Sequence, residues 1–294
     1  TDEYYGKRTA QLMKHLKPDA VYIKDANGVI TPERVKTLVP AIQKHLKGLP
    51  LELHSHCTTG LAPLAYLEAI KLGIKTLHTA VPPLANGASQ PSIDNIIMNA
   101  RRLGFIPRID EQAVAAETAH FRYVARREGK PEGAPVEYDL FQYQHQIPGG
   151  MISNLEFMLA ERKLGHRLNE VLEEIARIRV DWGYPIMVTP FSQILGTQAV
   201  INVVSGERYS MVPQETRSAA VRAIRIEVTV RRGMGLSRAR ASRTSSAFEP
   251  PAGRPGADWQ PRKLLLFFFL EPTATGPASS VAVLRLMPLG KRPV

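Results

Sequence analysis

Two histidines one residue apart, His54 and His56 in the run LELHSHCTTG, are the sharpest chemical signal in this chain. Side chains on a strand alternate with period two, so both imidazoles face the same side. Such a pair can grip one cation through its ring nitrogens, or it can be two polar groups on a solvated face. One strand and helix upstream, AVYIKDANG ends in Lys24 and Asp25. The C-terminal ends of parallel strands are where α/β sheets and barrels gather their chemistry, so a lysine and two imidazoles are expected at one rim. An ordinary lysine is a cation that repels a metal ion, and its plain roles are an ion pair or a contact to a substrate anion. A lysine carbamylated by carbon dioxide is instead an anionic oxygen donor, and that chemistry would make it a ligand. Cys57 is the one cysteine, so disulfides within the chain are excluded and a thiolate metal site is disfavoured.

The elements that must position these residues follow from periodicity. TDEYYGKRTAQLMKHLK has helical spacing, and DAVYIKD is a short strand. TPERVKTLVPAIQKHLKG starts with Thr31 as N-cap and Pro32 in the first turn, and it stops at Gly48. LELHSHC is the next strand, LAPLAYLEAIKLG a helix, IKTLHTAVP a third strand, and SIDNIIMNARRLG a helix that Ser92 can cap. Strands separated by helices of this length pair in parallel, in a doubly wound sheet or a (β/α)8 barrel. After Gly104 the pattern is mostly helical: DEQAVAAETAHFRYVARREG, SNLEFMLAERKLG, RLNEVLEEIARIRVDWG and SQILGTQAVINVVSG. An aromatic connector, APVEYDLFQYQHQIPGGM, separates the first two of these, and its Pro-Gly-Gly reads as a tight turn. Residues 1–104 are therefore read as the α/β part, 105–216 as a helical appendage and 217–294 as a tail.

The net charge of +11 invites a nucleic-acid reading, but it is concentrated at one end. From Arg217 to Val294 there are fourteen Lys and Arg against four Asp and Glu, which leaves the rest of the chain nearly neutral. No nucleic-acid partner is expected for the folded part. The tail is rich in Arg, Ser, Ala, Pro and Gly and has lost periodicity, so it is expected to be disordered or to be the out-of-frame reading of a GC-rich gene. No apolar run approaches the about 18 residues of a membrane span, and the start is charged and helical, unlike a leader, so the default compartment is the cytoplasm. The chain opens without Met and within a helix, which points to a fragment whose beginning is missing.

The motifs YIKDANGVITP, LHSHCTTG, AVPPLANGASQPS, HQIPGGMISNL and VTPFSQILGTQAVINVVSGERY resemble, in order and spacing, the carboxyltransferase domain of biotin-dependent enzymes. The pyruvate carboxylase, oxaloacetate decarboxylase α and transcarboxylase 5S types belong to that group, and the resemblance spans about Thr1 to Glu215. It implies the C-terminal half of a (β/α)8 TIM barrel followed by an α-helical funnel. It also implies a divalent metal, zinc, manganese or cobalt, held by carbamylated Lys24, His54 and His56. The aspartate ligand and the keto-acid-binding arginine and glutamine of such enzymes have no counterpart here. Thr189 matches the threonine that relays a proton between the biotin nitrogen and the pyruvate methyl group, where its plain alternative is a helix N-cap. Ser192 and Gln193 match positions near the biotin, Gln193 standing where a lysine is common. Cys57 in place of Asp and Ala88 in place of Thr mark further departures.

The implied activity is carboxyl transfer between carboxybiotin and pyruvate or oxaloacetate through an enolate. The implied partners are a keto acid and a biotin carboxyl carrier on a separate domain. A half barrel leaves sheet edges unpaired, so a homo-oligomer is expected. Two rivals remain: a metal-dependent lyase of the hydroxymethylglutaryl-CoA lyase type, and a non-catalytic remnant kept for assembly. His78, His120, His145 and His166 read as ordinary core or surface histidines, and Tyr138, Phe141 and Tyr143 as packing.

Overall fold

The computed structural model describes residues 1–221, 264–266 and 281–288; of residues 264–266, 281 and 288 it describes the backbone alone. Helices and strands alternate first: α1 (Asp2–His15), β1 (Ala20–Asp25), α2 (Pro32–Gln43), β2 (Leu51–Ser55), α3 (Ala62–Lys71), β3 (Thr76–Ala80), α4 (Ile93–Arg102) and β4 (Phe105–Arg108). Helices follow: α5 (Glu111–Arg127), the short α6 (Gln142–His145), α7 (Gly149–Glu161), α8 (Leu168–Asp181) and α9 (Phe191–Ser205). Two further strands, β5 (Leu264–Leu266) and β6 (Val281–Pro288), complete a six-stranded sheet of order β4-β6-β3-β2-β1-β5.

The helix starts are local chemistry. Thr31 accepts a hydrogen bond from the Arg34 N–H with Pro32 opening α2, and Asp110 caps α5 through the N–H groups of Gln112 and Ala113. Ser92 occupies the N-cap of α4 without making a side-chain bond.

Strands β1, β2 and β3 pair in parallel, as the alternation requires. Their odd-numbered residues Val21, Ile23, Leu51, Leu53 and Leu77 are buried in one core with Leu38 and Ile42 of α2, Tyr66 and Ile70 of α3, and Ile93 and Ile96 of α4. Helices thus cover one face of the sheet, and the even-numbered side chains Tyr22, Lys24, Glu52, His54 and His78 share the other. One-sided cover with a polar second face fits the wall of a barrel rather than a doubly wound sheet, whose strands are apolar on both faces. A second core, built around Leu155, Ile175, Ile178, Leu195 and Ala199, holds α7, α8 and α9 together.

Three differences from the sequence reading stand out. FIPR forms β4, which a proline-containing tetrapeptide does not announce. Within the stretch expected to have no fold, two segments are strands, and β6 runs antiparallel between β3 and β4. Its Leu284 and Leu286 are 0% and 2% exposed, while Val283 and Met287 on the opposite face are 47% and 42% exposed. VAVLRLMP therefore has the alternation of a one-side-buried strand, which the overall Arg and Pro content of its surroundings hides. The remainder of 217–294 beyond Val221 lies outside the described residues.

Candidate active site

Register brings the chemical residues into a row. Lys24 on β1 is the Cα partner of His54 on β2, and carrying the β2–β3 register one residue beyond Leu53–Leu77 sets His78 beside His54. His56 follows the end of β2, two residues on, and its ring centroid lies 5.1 Å from that of His54. The two Nε2 atoms are 3.1 Å apart. Two nitrogens each about 2.0–2.1 Å from one zinc ion stand ~2.8–3.4 Å apart at octahedral to tetrahedral angles. The pair is thus spaced for one cation.

His56 Nδ1 lies 2.6 Å from the carbonyl oxygen of Ala88, which can only accept, so Nδ1 carries the proton and Nε2 presents a lone pair. Burial lowers the pKa of His56 and, with the neighbouring His56, His78 and Lys24, takes that of His54 down to about 2. Both rings are neutral at neutral pH, the form in which imidazole binds metal. The amide Nε2 of Gln90 lies 3.0 Å from His56 Nε2 and 3.3 Å from His54 Nε2, and donates toward both. Its buried carboxamide also carries an acceptor oxygen, so turning the amide over would offer oxygen to the same point.

Among the described residues Lys24 has no hydrogen bond or ion pair, and burial lowers its pKa. The neighbouring Asp25 is buried and committed to structure. It accepts from Ser55 Oγ at 2.8 Å and from the N–H groups of Val29 and Ile30 at 3.1 and 2.9 Å, which fixes the loop after β1. No three His, Cys, Asp or Glu side chains among the described residues form a metal-binding group. The two imidazoles fit a divalent ion, whereas Lys24 fits only as its carbamate. The Cys57 thiol is buried, which pushes its pKa up to about 12 and keeps it inert.

The sheet and the helical part meet at this rim. Asn27 Nδ2 donates to the Gln146 carbonyl and, at 2.9 Å, to the Met187 carbonyl, while Gln142 Nε2 donates to the Asn27 carbonyl at 3.0 Å. A cavity of about 460 Å³ opens there, lined among others by Lys24, Asn27, Gln146, Arg179, Met187 and Val188. Thr189 follows Val188 and is exposed; Pro190, without a side-chain bond, occupies the N-cap of α9, so the plain N-cap role of Thr189 is not realised. Ser192 is fully buried with its hydroxyl unpartnered among the described residues, and Gln193 is exposed. No described hydrogen bond joins Thr189, Ser192 or Gln193 to Lys24, His54 or His56.

His78 lies in the core, one of the two places read for it, and it also touches the site. It is buried, its Nδ1 lies 3.2 Å from His54 Nδ1, and its Nε2 lies 2.9 Å from Glu52 Oε2. Gln90 and Glu52 were likewise not legible as site residues, since their contacts depend on the register of strands and loops 26 to 36 residues apart. The available signal was period two: residues 52, 54 and 56 share a face. Among the other histidines, His120 and His166 are exposed and His145 is buried. Tyr138, Phe141 and Tyr143 do pack: Tyr138 meets Tyr143 edge-on at 6.3 Å and Phe141 meets His145 at 4.9 Å.

Residues 1–120 match the HMGL-like family and residues 143–221 match the conserved carboxylase domain. The chain is 40% identical over 211 residues to a pyruvate carboxylase subunit of Methanothermobacter thermautotrophicus, covering 71% of this chain and 37% of that one. It is 34% identical over 200 residues to the 2-oxoglutarate carboxylase large subunit of Hydrogenobacter thermophilus, covering 68% and 31%. A solved carboxyl transferase domain of Rhizobium etli pyruvate carboxylase, with pyruvate and biocytin, matches with a TM-score of 0.62 at 25% identity, covering 70% of this chain and 34% of that chain. The chain therefore spans well under half the length of these relatives.

Proposed function

Because residues 1–120 belong to the HMGL-like family and residues 143–221 to the conserved carboxylase domain, this chain is a member of the pyruvate carboxylase type of biotin-dependent carboxyltransferases, and from that we propose its part in the reaction: it moves a carboxyl group between carboxybiotin and a keto acid of the pyruvate or oxaloacetate kind. The observation that carries the site assignment is the pair of Nε2 atoms 3.1 Å apart on His54 and His56, at the strand end where Lys24 also stands. His54 and His56 hold a divalent cation through these lone pairs, and the Lys24 carbamate adds an anionic oxygen. When bound, such an ion supplies Lewis acidity at a ketone oxygen.

In the carboxylating direction the N–C bond of carboxybiotin breaks and a C–C bond forms at the keto-acid methyl carbon. That carbon gives up one proton, and the biotin nitrogen gains one. Thr189 carries it, its hydroxyl accepting from the methyl group and donating to the ring nitrogen. Gln193, exposed at the start of α9, contacts the biotin, and the buried Ser192 beside it supports that position from within. The cavity lined by both Lys24 and Val188 supports a substrate position beside the end of β1. The carboxylase-domain match over residues 143–221 favours transfer over a lyase reaction, because the HMGL-like match ends before α6 begins.

The test pairs zinc affinity with biotin-stimulated oxaloacetate decarboxylation, measured on the wild type, His56→Ala and Thr189→Ala. His56→Ala should lose both zinc and turnover. Thr189→Ala should keep zinc and lower the rate about 10²- to 10⁴-fold, the usual contribution of a positioned proton carrier. Turnover that ignores biotin would move the assignment to the lyase reading, and zinc binding unchanged in His56→Ala would remove the metal site.

A further inference from the structure

Glu52, His78 and His54 form a line of hydrogen bonds across β2 and β3 that ends at the lone pair facing the site. We propose that Glu52 and His78 are positioning residues: together they fix the tautomer of His54 so that Nδ1 carries its proton and Nε2 is bare toward the cation. The proposal rests on the reading of His54 as a ligand and adds to it two residues that touch neither cation nor substrate.

The direction of each bond follows from the chemistry of its ends. A carboxylate can only accept, so Glu52 Oε2, 2.9 Å from His78 Nε2, takes a proton donated by that nitrogen. The relay takes His78 as a neutral imidazole, whose proton on Nε2 leaves its Nδ1 bare. His78 Nδ1 therefore accepts, and His54 Nδ1, 3.2 Å away, donates to it. The proton of His54 is then held on Nδ1, and its Nε2 has a lone pair at the point where His56 Nε2 and Gln90 Nε2 also converge, 3.1 and 3.3 Å away. The Gln90 amide donates to that lone pair, which it could not do to an N–H. His56 reaches the same state by a different route, through the Ala88 carbonyl. One ligand is thus fixed by a backbone oxygen and the other by a side-chain relay.

The relay is built in. Glu52, His54 and His78 are all buried, and the His78 backbone carbonyl accepts from the Tyr66 hydroxyl at 2.7 Å while that hydroxyl accepts from Ser55 N–H at 2.9 Å. Tyr66 is itself fully buried, so it pins β3 to β2 at the residue that carries the relay. The Tyr22 ring lies 5.3 Å from the His78 ring, tilted by 42°, which limits ring rotation from the β1 side. A carboxylate behind a histidine behind a metal-facing imidazole is an outer-shell arrangement of the kind that orients first ligands and raises their basicity.

The experiment uses the full chain and two readouts. In the first, long-range ¹H–¹⁵N correlation spectra of histidine-labelled, metal-free protein, assigned with His54→Gln, report which nitrogen of His54 bears the proton. Wild type should show it on Nδ1, and His78→Leu should move it largely to Nε2. A wild-type His54 with its proton on Nε2 overturns the relay. In the second, Zn²⁺ affinity is measured by competition with a chromogenic chelator. His78→Leu and Glu52→Leu should each weaken it about 10- to 100-fold. His78→Asn, whose side-chain oxygen can still accept from His54 Nδ1, should recover most of that loss, which a purely packing role of His78 would not give. Wild-type affinity in a folded His78→Leu overturns the relay while leaving the ligands intact. If instead wild type binds Zn²⁺ no better than His54→Ala, the ligand reading fails, and the tautomer measurement still decides the relay.

Discussion

At the scale of single residues, the sequence showed the two imidazoles because period two alone places His54 and His56 on one face. It also put Lys24 at their rim, since one strand-helix unit separates the two strands. It could not show Gln90 or His78, whose importance comes from register and loop path rather than from local pattern. Lys24 is where chemistry and burial meet. A neutral amine is the form that attacks carbon dioxide, forming an N–C bond and releasing one proton, and burial lowers the Lys24 pKa toward that form. With ¹³C-bicarbonate, the zinc-loaded wild type should show a carbamate carbon resonance that Lys24→Ala and Lys24→Arg both lack, and both variants should bind zinc more than about tenfold more weakly. Full metal content in Lys24→Ala would refute the carbamate assignment.

At the scale of elements, the alternation of helix and strand was legible, while the joints between the two halves were not. IPGGM reads as a turn, yet Gly149 opens α7 against the loop that carries Ala88. A Cβ on Gly149 would lie 2.5 Å from Ala88 Cα and closer still to its carbonyl oxygen, the atom that orients His56. Gly150 has open space around its own Cβ position. Gly149→Ala should therefore cost about 1–3 kcal/mol and weaken zinc binding together, whereas Gly150→Ala should be neutral or slightly stabilising. Thermal midpoints and zinc titrations on both variants check this, and equal behaviour of the two would contradict the contact. The preceding helix α6 ends on His145, whose Nδ1 accepts from the Ile147 N–H at 3.1 Å. Burial takes its pKa from the ordinary 6.5 down to about 4, with Asp139 opposing and Arg179 assisting. The unfolded chain therefore takes up this proton first, and His145 makes stability fall as the pH drops from about 6.5 to about 4, by up to about 3 kcal/mol. Denaturant midpoints across that range should decline less steeply in His145→Gln than in wild type. Parallel slopes would mean that the ring is not buried as a neutral acceptor.

At the scale of the whole molecule, two cores, one under the sheet and one among α7 to α9, are joined at the rim by Asn27, Gln142 and Gly149 rather than by a shared apolar face. No described helix is long and apolar enough to cross a membrane. The sheet itself carries the feature least readable from composition. Arg, Ala, Ser, Pro and Gly are abundant throughout residues 217–294, and a window wide enough to measure that bias averages away the eight residues of β6. Those residues close the edge of β3 with an antiparallel ladder in which His78 pairs with Val283 and Leu77 with Leu284, and they place Leu284 in the same core as Leu53 and Tyr66. A strand so placed must show its alternation energetically. Leu284→Ala removes a fully buried side chain and should cost about 2–5 kcal/mol, while Val283→Ala, on the open face one residue away, should stay within about 0.5 kcal/mol apart from its small loss of strand propensity. Loss of the strand would also bare the backbone edges of β3 and β4, so Leu284→Ala should self-associate in a concentration-dependent way that sedimentation velocity can resolve. Equal midpoints for the two variants, with both remaining at the wild-type oligomeric state, would place β6 outside the sheet and leave β3 as its edge.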